Sequence, residues 1–368
     1  MNRERALKAV RLEPTERIPH WEHFSCPEFQ LAVTGIDPYE HPRQSMERFL
    51  ELLPIDVGVV PLSDDPIPRP PKDEVSAEVP GAGRLARWGT GWSWHWNWGA
   101  RFKSIEDVLS FSPLEHMDCR GWGVVEDRDY TLSVEELARG FQAGLDAARQ
   151  ATGERALVPA GFYNTIFMWP LLTFGWELFL ELGALYQDEL KRILSEFAER
   201  SRKVFKAWAM TDVELFTSHD DICYQAGPVF SPDWLRRFIY PYYEEFWGYL
   251  KAAGIKVVFI SDGNVDRVAD DIFACGADGI MSEPYTNWDV ISRKHPDKIL
   301  AGDGDNRILA TCNREAIEDM VKRMAEIGRR CAGYFFCIGN HIPWNQPVEG
   351  VRMYFEASEK YGWRGTCG

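Results

Sequence analysis

No apolar run in this chain comes near the ~20 residues a helix needs to span a bilayer. There is no glycine-rich phosphate loop, no Gly-x-Gly-x-x-Gly turn and no Gly-x-Ser-x-Gly elbow. These gaps remove membrane-spanning, nucleotide-dependent and serine-hydrolase readings. Basic residues are in deficit: Lys and Arg number 41 against 56 Asp and Glu, a net charge of −15. A chain so acidic is disfavoured as a partner of nucleic acid or of anionic membranes. Its eight cysteines are scattered, with no Cys-x-x-Cys or His-x-Cys pair. That argues for reduced thiols in a cytoplasm over a disulfide framework, and gives a thiolate zinc site no support. The charged start, Met1 to Leu7, reads as the opening of a helix and not as a signal peptide.

Apolar and aromatic residues are plentiful: 45% of the chain is hydrophobic, 13% aromatic, and there are 15 tryptophans. The apolar residues fall into a repeating pattern. Lys256-Val-Val-Phe-Ile260 is a short buried strand that ends in the polar turn Ser261-Asp-Gly-Asn264, and a helix is predicted over 265–274. Strands ending in polar groups recur at 279–283, 298–305 and 334–341. Upstream, strands are predicted at 18–24, 56–62, 156–162 and 213–218, with helices at 2–11, 43–53, 104–111, 134–151, 164–182, 187–210 and 231–253. Ser133 with Glu136 forms a capping-box signature, and Ser231 before Pro232 an N-cap. Further helices are predicted near 287–294, 313–329 and 346–360. The alternation predicts an α/β fold, a single (β/α)8 barrel over residues 1–368. Residues 63–133 form an elaborated insertion between strands two and three. Within it, tryptophans at 92, 94, 96 and 98 have period two, so one face of a β-ribbon should carry four indoles. That face reads as a lid or dimer contact, or as an aromatic wall for substrate.

In such a barrel the carboxyl ends of the strands converge on one mouth. That mouth should gather Glu22 and His23, Asp64, His219 with Asp220 and Asp221, Asp262, Glu283, Asp303 with Asp305, and His341. So many carboxylates cannot all ionise side by side without partners. A divalent cation, incoming arginines or a cationic substrate would resolve the conflict. His and carboxylate donors suit zinc, or manganese where oxygen dominates. Each residue also has a plainer reading: Asp262 before Gly263 could cap the helix from Val265, and Asp303 and Asp305 around Gly304 could shape a turn.

Several blocks, in order, resemble the uroporphyrinogen decarboxylase superfamily, which includes cobalamin-dependent methyltransferases. They are Arg3–Val10 with Glu16-Arg-Ile-Pro19, Trp88-Gly-Thr-Gly-Trp92, and His219-Asp-Asp-Ile222 through Gly227–Pro232 to Ile239-Tyr-Pro241. Gly339-Asn-His-Ile-Pro343 with Pro347–Arg352 completes the set. The resemblance implies the barrel fold. The decarboxylase's arginine-bearing first loop is here His20-Trp-Glu-His-Phe-Ser-Cys26, which has no arginine to grip a polycarboxylate. Where thiol-activating methyltransferases hold zinc with His, Cys and a later Cys, this chain has Ile260, Asp262 and Asn340. What remains resembles the members that move a methyl group from a small methoxylated or methylated donor, here expected to be aromatic, to a partner corrinoid protein. By that resemblance, zinc or another divalent cation would sit on Asp262, Glu283 and His341, and cobalamin would arrive with the partner. Asp262, His219 and Glu283 would be catalytic; Glu22, His23, Trp92, Asp221 and Asp303 would line the substrate site. Homodimers are usual among resembling proteins. Two alternatives are a decarboxylase-like lyase on a non-porphyrin substrate and a non-catalytic barrel that binds a corrinoid or tetrapyrrole.

Overall fold

In the computed structural model, residues 2–69, 101–122 and 126–365 are described, together with the backbone of three strands between them. Helix α1 (Asn2–Val10) buries Leu7 and Val10. It precedes β1 (His20–Trp21), α2 (Pro27–Thr34), α3 (Pro42–Leu52) and β2 (Ile55–Val57), which pairs with β1 in parallel. Next come an antiparallel ribbon of β3 (Ser76–Val79), β4 (Gly83–Trp88) and β5 (Gly91–His95), then α4 (Ile105–Ser110). Trp92 and Trp94 fall in β5. Their side chains, and Trp96 and Trp98 entirely, lie outside the described residues, and the predicted aromatic face with them.

Helix α5 (Val134–Thr152) opens on the Ser133–Glu136 capping box, as its sequence predicts. After it come β6 (Ala160–Phe162), α6 (Met168–Phe174), α7 (Trp176–Leu185), α8 (Gln187–Trp208) and β7 (Leu215–His219). A two-residue hairpin, β8 (Cys223–Tyr224) with β9 (Gly227–Pro228), leads into α9 (Pro232–Phe238) and α10 (Tyr240–Ala252). One helix was expected over 231–253. Two form: the first ends at Ile239 (φ −117°, ψ −52°), and Pro241, in the first turn of the second, lacks the N–H a continuous helix needs. The remainder is β10 (Lys256–Ile260), α11 (Ala269–Ala274), β11 (Gly279–Met281), α12 (Trp288–Lys294), β12 (Ile299–Ala301), α13 (Asn306–Ala310), α14 (Arg314–Arg330) and α15 (Val348–Tyr361).

Five strands form one parallel sheet in the order β12-β11-β10-β7-β6. At its β6 edge, Leu157 bridges Val57 of β2; at its β12 edge, Tyr334 bridges Leu300. The segment expected as a strand over 334–341 carries isolated parallel bridges, Tyr334 to Leu300 and Phe336 to His20, in place of a continuous ladder. Its neighbours, β12 and β1, are short, and a further bridge, Ile338 to Gly304, forms beyond the end of β12.

Strand β10 shows why the sheet needs two cores. Val257 and Phe259 pack with the surrounding helices in the larger cluster; Val258 and Ile260 point the other way. There they meet Trp21, Val57, Leu215, Met281 and Phe335, with Leu7 and Val10 of α1 in the same cluster. Both faces are apolar, as a parallel sheet covered on both sides requires. Asn2 donates to the Ile55 carbonyl and Arg5 pairs with buried Asp56, so α1 sits at the amino-terminal end of β2. The carboxyl ends are left for chemistry. No helix among the described residues is long and apolar enough to cross a membrane.

Candidate active site

A cavity of about 490 Å³ opens at the carboxyl ends of β6, β7, β10 and β11. Strand register brings the ends level, with Ile260 opposite both His219 and Met281. Phe162, Ile260 and Met281 line the cavity, and His23, Tyr163, His219, Asp262, Asn340, His341 and Glu126 supply polar groups.

Asp262 follows β10 at a turn that only glycine can make. Gly263 has φ +85°, and a Cβ there would stand 2.5 Å from the Tyr224 backbone. Helix α11 begins only at Ala269, so Asp262 caps no helix. Its Oδ2 accepts the Asn340 side-chain amide at 3.1 Å, while Oδ1 makes no hydrogen bond among the described residues. Burial, then the negative charge of Asp221, pushes the Asp262 carboxyl up to about 8; the charge on His219 opposes this. At neutral pH it is therefore a carboxylic acid with a proton to give.

His219 and Asp221 form an ion pair, Nε2 to Oδ1 at 2.9 Å. Burial works against the imidazolium, but Asp221, by its charge and its hydrogen bond, outweighs it and raises His219 above its ordinary value. Burial likewise opposes charge on Asp221, yet His219 and the hydrogen bonds around it hold that carboxyl below its usual range. Asp221 also accepts the Asp262 backbone N–H at 2.9 Å and the Tyr163 hydroxyl at 3.4 Å, so it braces the site from behind His219. His23 follows β1 and presents an exposed side chain to the cavity. Desolvation there and the charge on His219 hold its pKa well below the ordinary value. Burial, then His23, brings His341 down to about 4.

Several expected site residues lie elsewhere. Glu22 is in the wall: its carboxylate accepts the Ile338 N–H at 2.9 Å and the Tyr354 hydroxyl at 2.5 Å. Asp303 is buried beside a separate pocket, 3.3 Å from Arg323. Asp64 caps the start of α3 through the Arg43 and Gln44 N–H groups. Asp305 caps α13. Asp220 is fully buried and accepts the N–H groups of Ile166, Phe167 and Met168 and the Tyr243 hydroxyl, which fixes the start of α6. Strand-end position alone does not separate such structural carboxylates from reactive ones. Tyr163 was missed although it follows β6 directly. Glu126 comes from the segment between α4 and α5, and no pattern in the sequence marks it.

The proposed metal set fares no better as a set. Glu283 spends Oε2 on the Gly263 N–H at 2.7 Å and does not line the cavity. The His341 Nδ1 is taken by the Asn340 side-chain oxygen at 2.6 Å. Among the described residues, no three His, Cys, Asp or Glu side chains are arranged to hold a metal ion. As they stand, Asp262, Glu283 and His341 do not form a cation cage.

The sequence pattern of the uroporphyrinogen decarboxylase (URO-D) family matches residues 172–361, more than half of the chain, and takes in β7, β10 and the cavity groups His219, Asp262 and Asn340. The chain belongs to this family. It is also similar to a uroporphyrinogen decarboxylase of Anaeromyxobacter, 25% identical over 130 residues. That match covers 35% of this chain and 37% of the relative, little over a third of the relative's length. In structure it resembles a methyltransferase from Methanosarcina mazei, with a TM-score of 0.62 and 16% identity over 98% of each chain. That likeness shows a shared fold within which this URO-D member places its own side chains.

Proposed function

We propose that this URO-D family member is a methyltransferase that moves a methyl group from a small methoxylated aromatic substrate to a corrinoid protein, within a closed (β/α)8 barrel. The parallel bridges at both sheet edges support closure. Free cysteines throughout the described residues fit a cytoplasmic setting.

What carries the reading is Asp262, a cavity carboxyl whose Oδ1 makes no hydrogen bond among the described residues and whose burial beside Asp221 favours its protonated form. An aryl methyl ether is a poor electrophile, and its oxygen needs a proton or a Lewis acid as it leaves. The reduced corrinoid of the partner supplies the nucleophile for the methyl carbon. As the carbon–oxygen bond breaks, its electron pair stays on oxygen, and Asp262 gives that oxygen its proton. The product is a phenol, and Asp262 regains its proton from water. Phe162, Ile260 and Met281 offer an apolar surface to a ring. No Lys or Arg is among the described cavity residues, so nothing there would grip a polycarboxylate tetrapyrrole. A zinc site would need Glu283 to release Gly263, and the step above does not require one.

The test is incubation of the purified protein with a reduced corrinoid protein and a panel of methoxyarenes, with phenol and carbon dioxide both measured. Phenol release lost in Asp262→Ala is the expected result. Carbon dioxide release without demethylation would replace this reading by a lyase, and tight pigment binding without turnover by a carrier. Metal analysis of the dialysed protein accompanies it: one tightly held zinc per chain would overturn the proton-donor assignment.

A further inference from the structure

Asn340 touches the acid Asp262 and two of the cavity imidazoles, His23 and His341. Its backbone is left-handed, φ +64°, a region asparagine tolerates better than most residues. The chain is pressed close there: a Cβ on Gly339 would stand 2.7 Å from the Gly302 carbonyl oxygen. From that turn Asn340 makes three contacts. Its Nδ2 donates to Asp262 Oδ2 at 3.1 Å. Its Oδ1 lies 2.6 Å from His341 Nδ1, and its backbone oxygen 3.2 Å from His23 Nδ1.

The donor and acceptor roles follow from chemistry. A backbone carbonyl only accepts, so Nδ1 of His23 must carry the proton. With Nδ2 turned to Asp262, Oδ1 can only accept as well, so Nδ1 of His341 must donate. In its neutral form each ring carries a single proton, so a proton on Nδ1 leaves Nε2 bare. On the other side, an Asp262 that accepts at Oδ2 keeps its own proton on Oδ1, the open oxygen.

We propose that Asn340 is the positioning residue of this cavity: its amide turns Oδ1 of Asp262 toward substrate, and its two oxygens fix His341 and His23 as Nδ1–H tautomers with no proton on Nε2. The cavity then offers a proton donor at Asp262 and a hydrogen-bond acceptor at His23 Nε2. It fits a substrate whose leaving atom takes a proton and which carries an O–H or N–H group nearby. The kinetic part rests on the function proposed above; the tautomers do not.

The test is a long-range proton–nitrogen correlation spectrum of the histidine rings in uniformly ¹⁵N-labelled protein, assigned with His23→Gln and His341→Gln. Both rings should report Nδ1–H. In Asn340→Gly the turn and the backbone carbonyl remain, so His23 should keep its tautomer while His341 redistributes. A purely structural loss would move both rings or neither. Asn340→Asp keeps an acceptor for His341 but no donor for Asp262. It should hold the His341 tautomer, yet lose roughly 100-fold in kcat on methoxyarenes with KM little changed. An Nε2–H tautomer of His341 in the parent protein would mean the amide is reversed and overturns the proposal. So would an unchanged His341 in Asn340→Gly. Should that variant not fold, the parent spectrum and Asn340→Asp still decide. If the parent shows the tautomers but never demethylates, the function falls and the positioning role stands.

Discussion

Replacing Asp262 with asparagine should stabilise the protein while abolishing turnover. Asparagine keeps the shape of the side chain and an oxygen to accept from Asn340, but it carries no charge to desolvate. The Asp262 carboxyl rises from 3.8 to about 8, chiefly through burial and the neighbouring Asp221. Each pKa unit corresponds to about 1.36 kcal/mol, so holding the group protonated at pH 7 costs at most about 4 kcal/mol relative to the unfolded chain. Water in the cavity and the coupling to Asp221 and His219 reduce this, which leaves about 2 kcal/mol as the expected gain. The folded-state pKa is raised, so the fold suffers nothing below about pH 4 and loses stability as pH rises toward 8. Asp262→Asn should therefore match the parent near pH 4 and exceed it increasingly up to pH 8. Urea unfolding followed by tryptophan fluorescence at several pH values measures this, with m-values compared to exclude a change in the unfolded state. A gain independent of pH, or a variant less stable than the parent at pH 8, would refute the neutral-acid assignment.

Other substitutions test the frame of the site. Gly263→Ala forces a side chain into positive φ and against the Tyr224 backbone; a loss of about 2–4 kcal/mol in urea unfolding is expected. Asp220→Ala orphans the N–H groups of residues 166–168 and the Tyr243 hydroxyl; at least about 3 kcal/mol should be lost, and hydrogen exchange should quicken first at the start of α6. The His219–Asp221 pair contributes stability below the raised His219 pKa and above the lowered Asp221 pKa. That contribution fades as pH rises through the first and as it falls through the second. His219→Gln should flatten the stability profile between about pH 4 and pH 7, and a profile parallel to the parent's would count against the ion pair.

Much of the fold is legible in the chain itself. The run Lys256–Ile260, apolar on both faces, fixes a buried parallel strand, and the Ser133–Glu136 capping box fixes where α5 starts. Both signals are local, because side-chain period and cap chemistry act within a few residues. Element ends were less legible. The helix expected from Val265 starts at Ala269, because Gly263 and Asn264 are drawn into bonds with Glu283 and Tyr285 instead.

The site divides the same way. Sequence determined that the strands would end in acids and histidines, that no Cys-x-x-Cys or His-x-Cys pair would join them, and that the loop His20–Cys26 brings no arginine. Only the tertiary structure decided which acid does what. Asp220, Asp221 and Asp262 are one residue type, yet the first caps a helix, the second pairs with His219, and the third is pushed toward its protonated form. Those roles depend on neighbours distant in sequence: Asp262 stands 41 residues from Asp221 and 78 from Asn340. Burial and nearby charge set a pKa, and both exist only once the strands have brought their ends together.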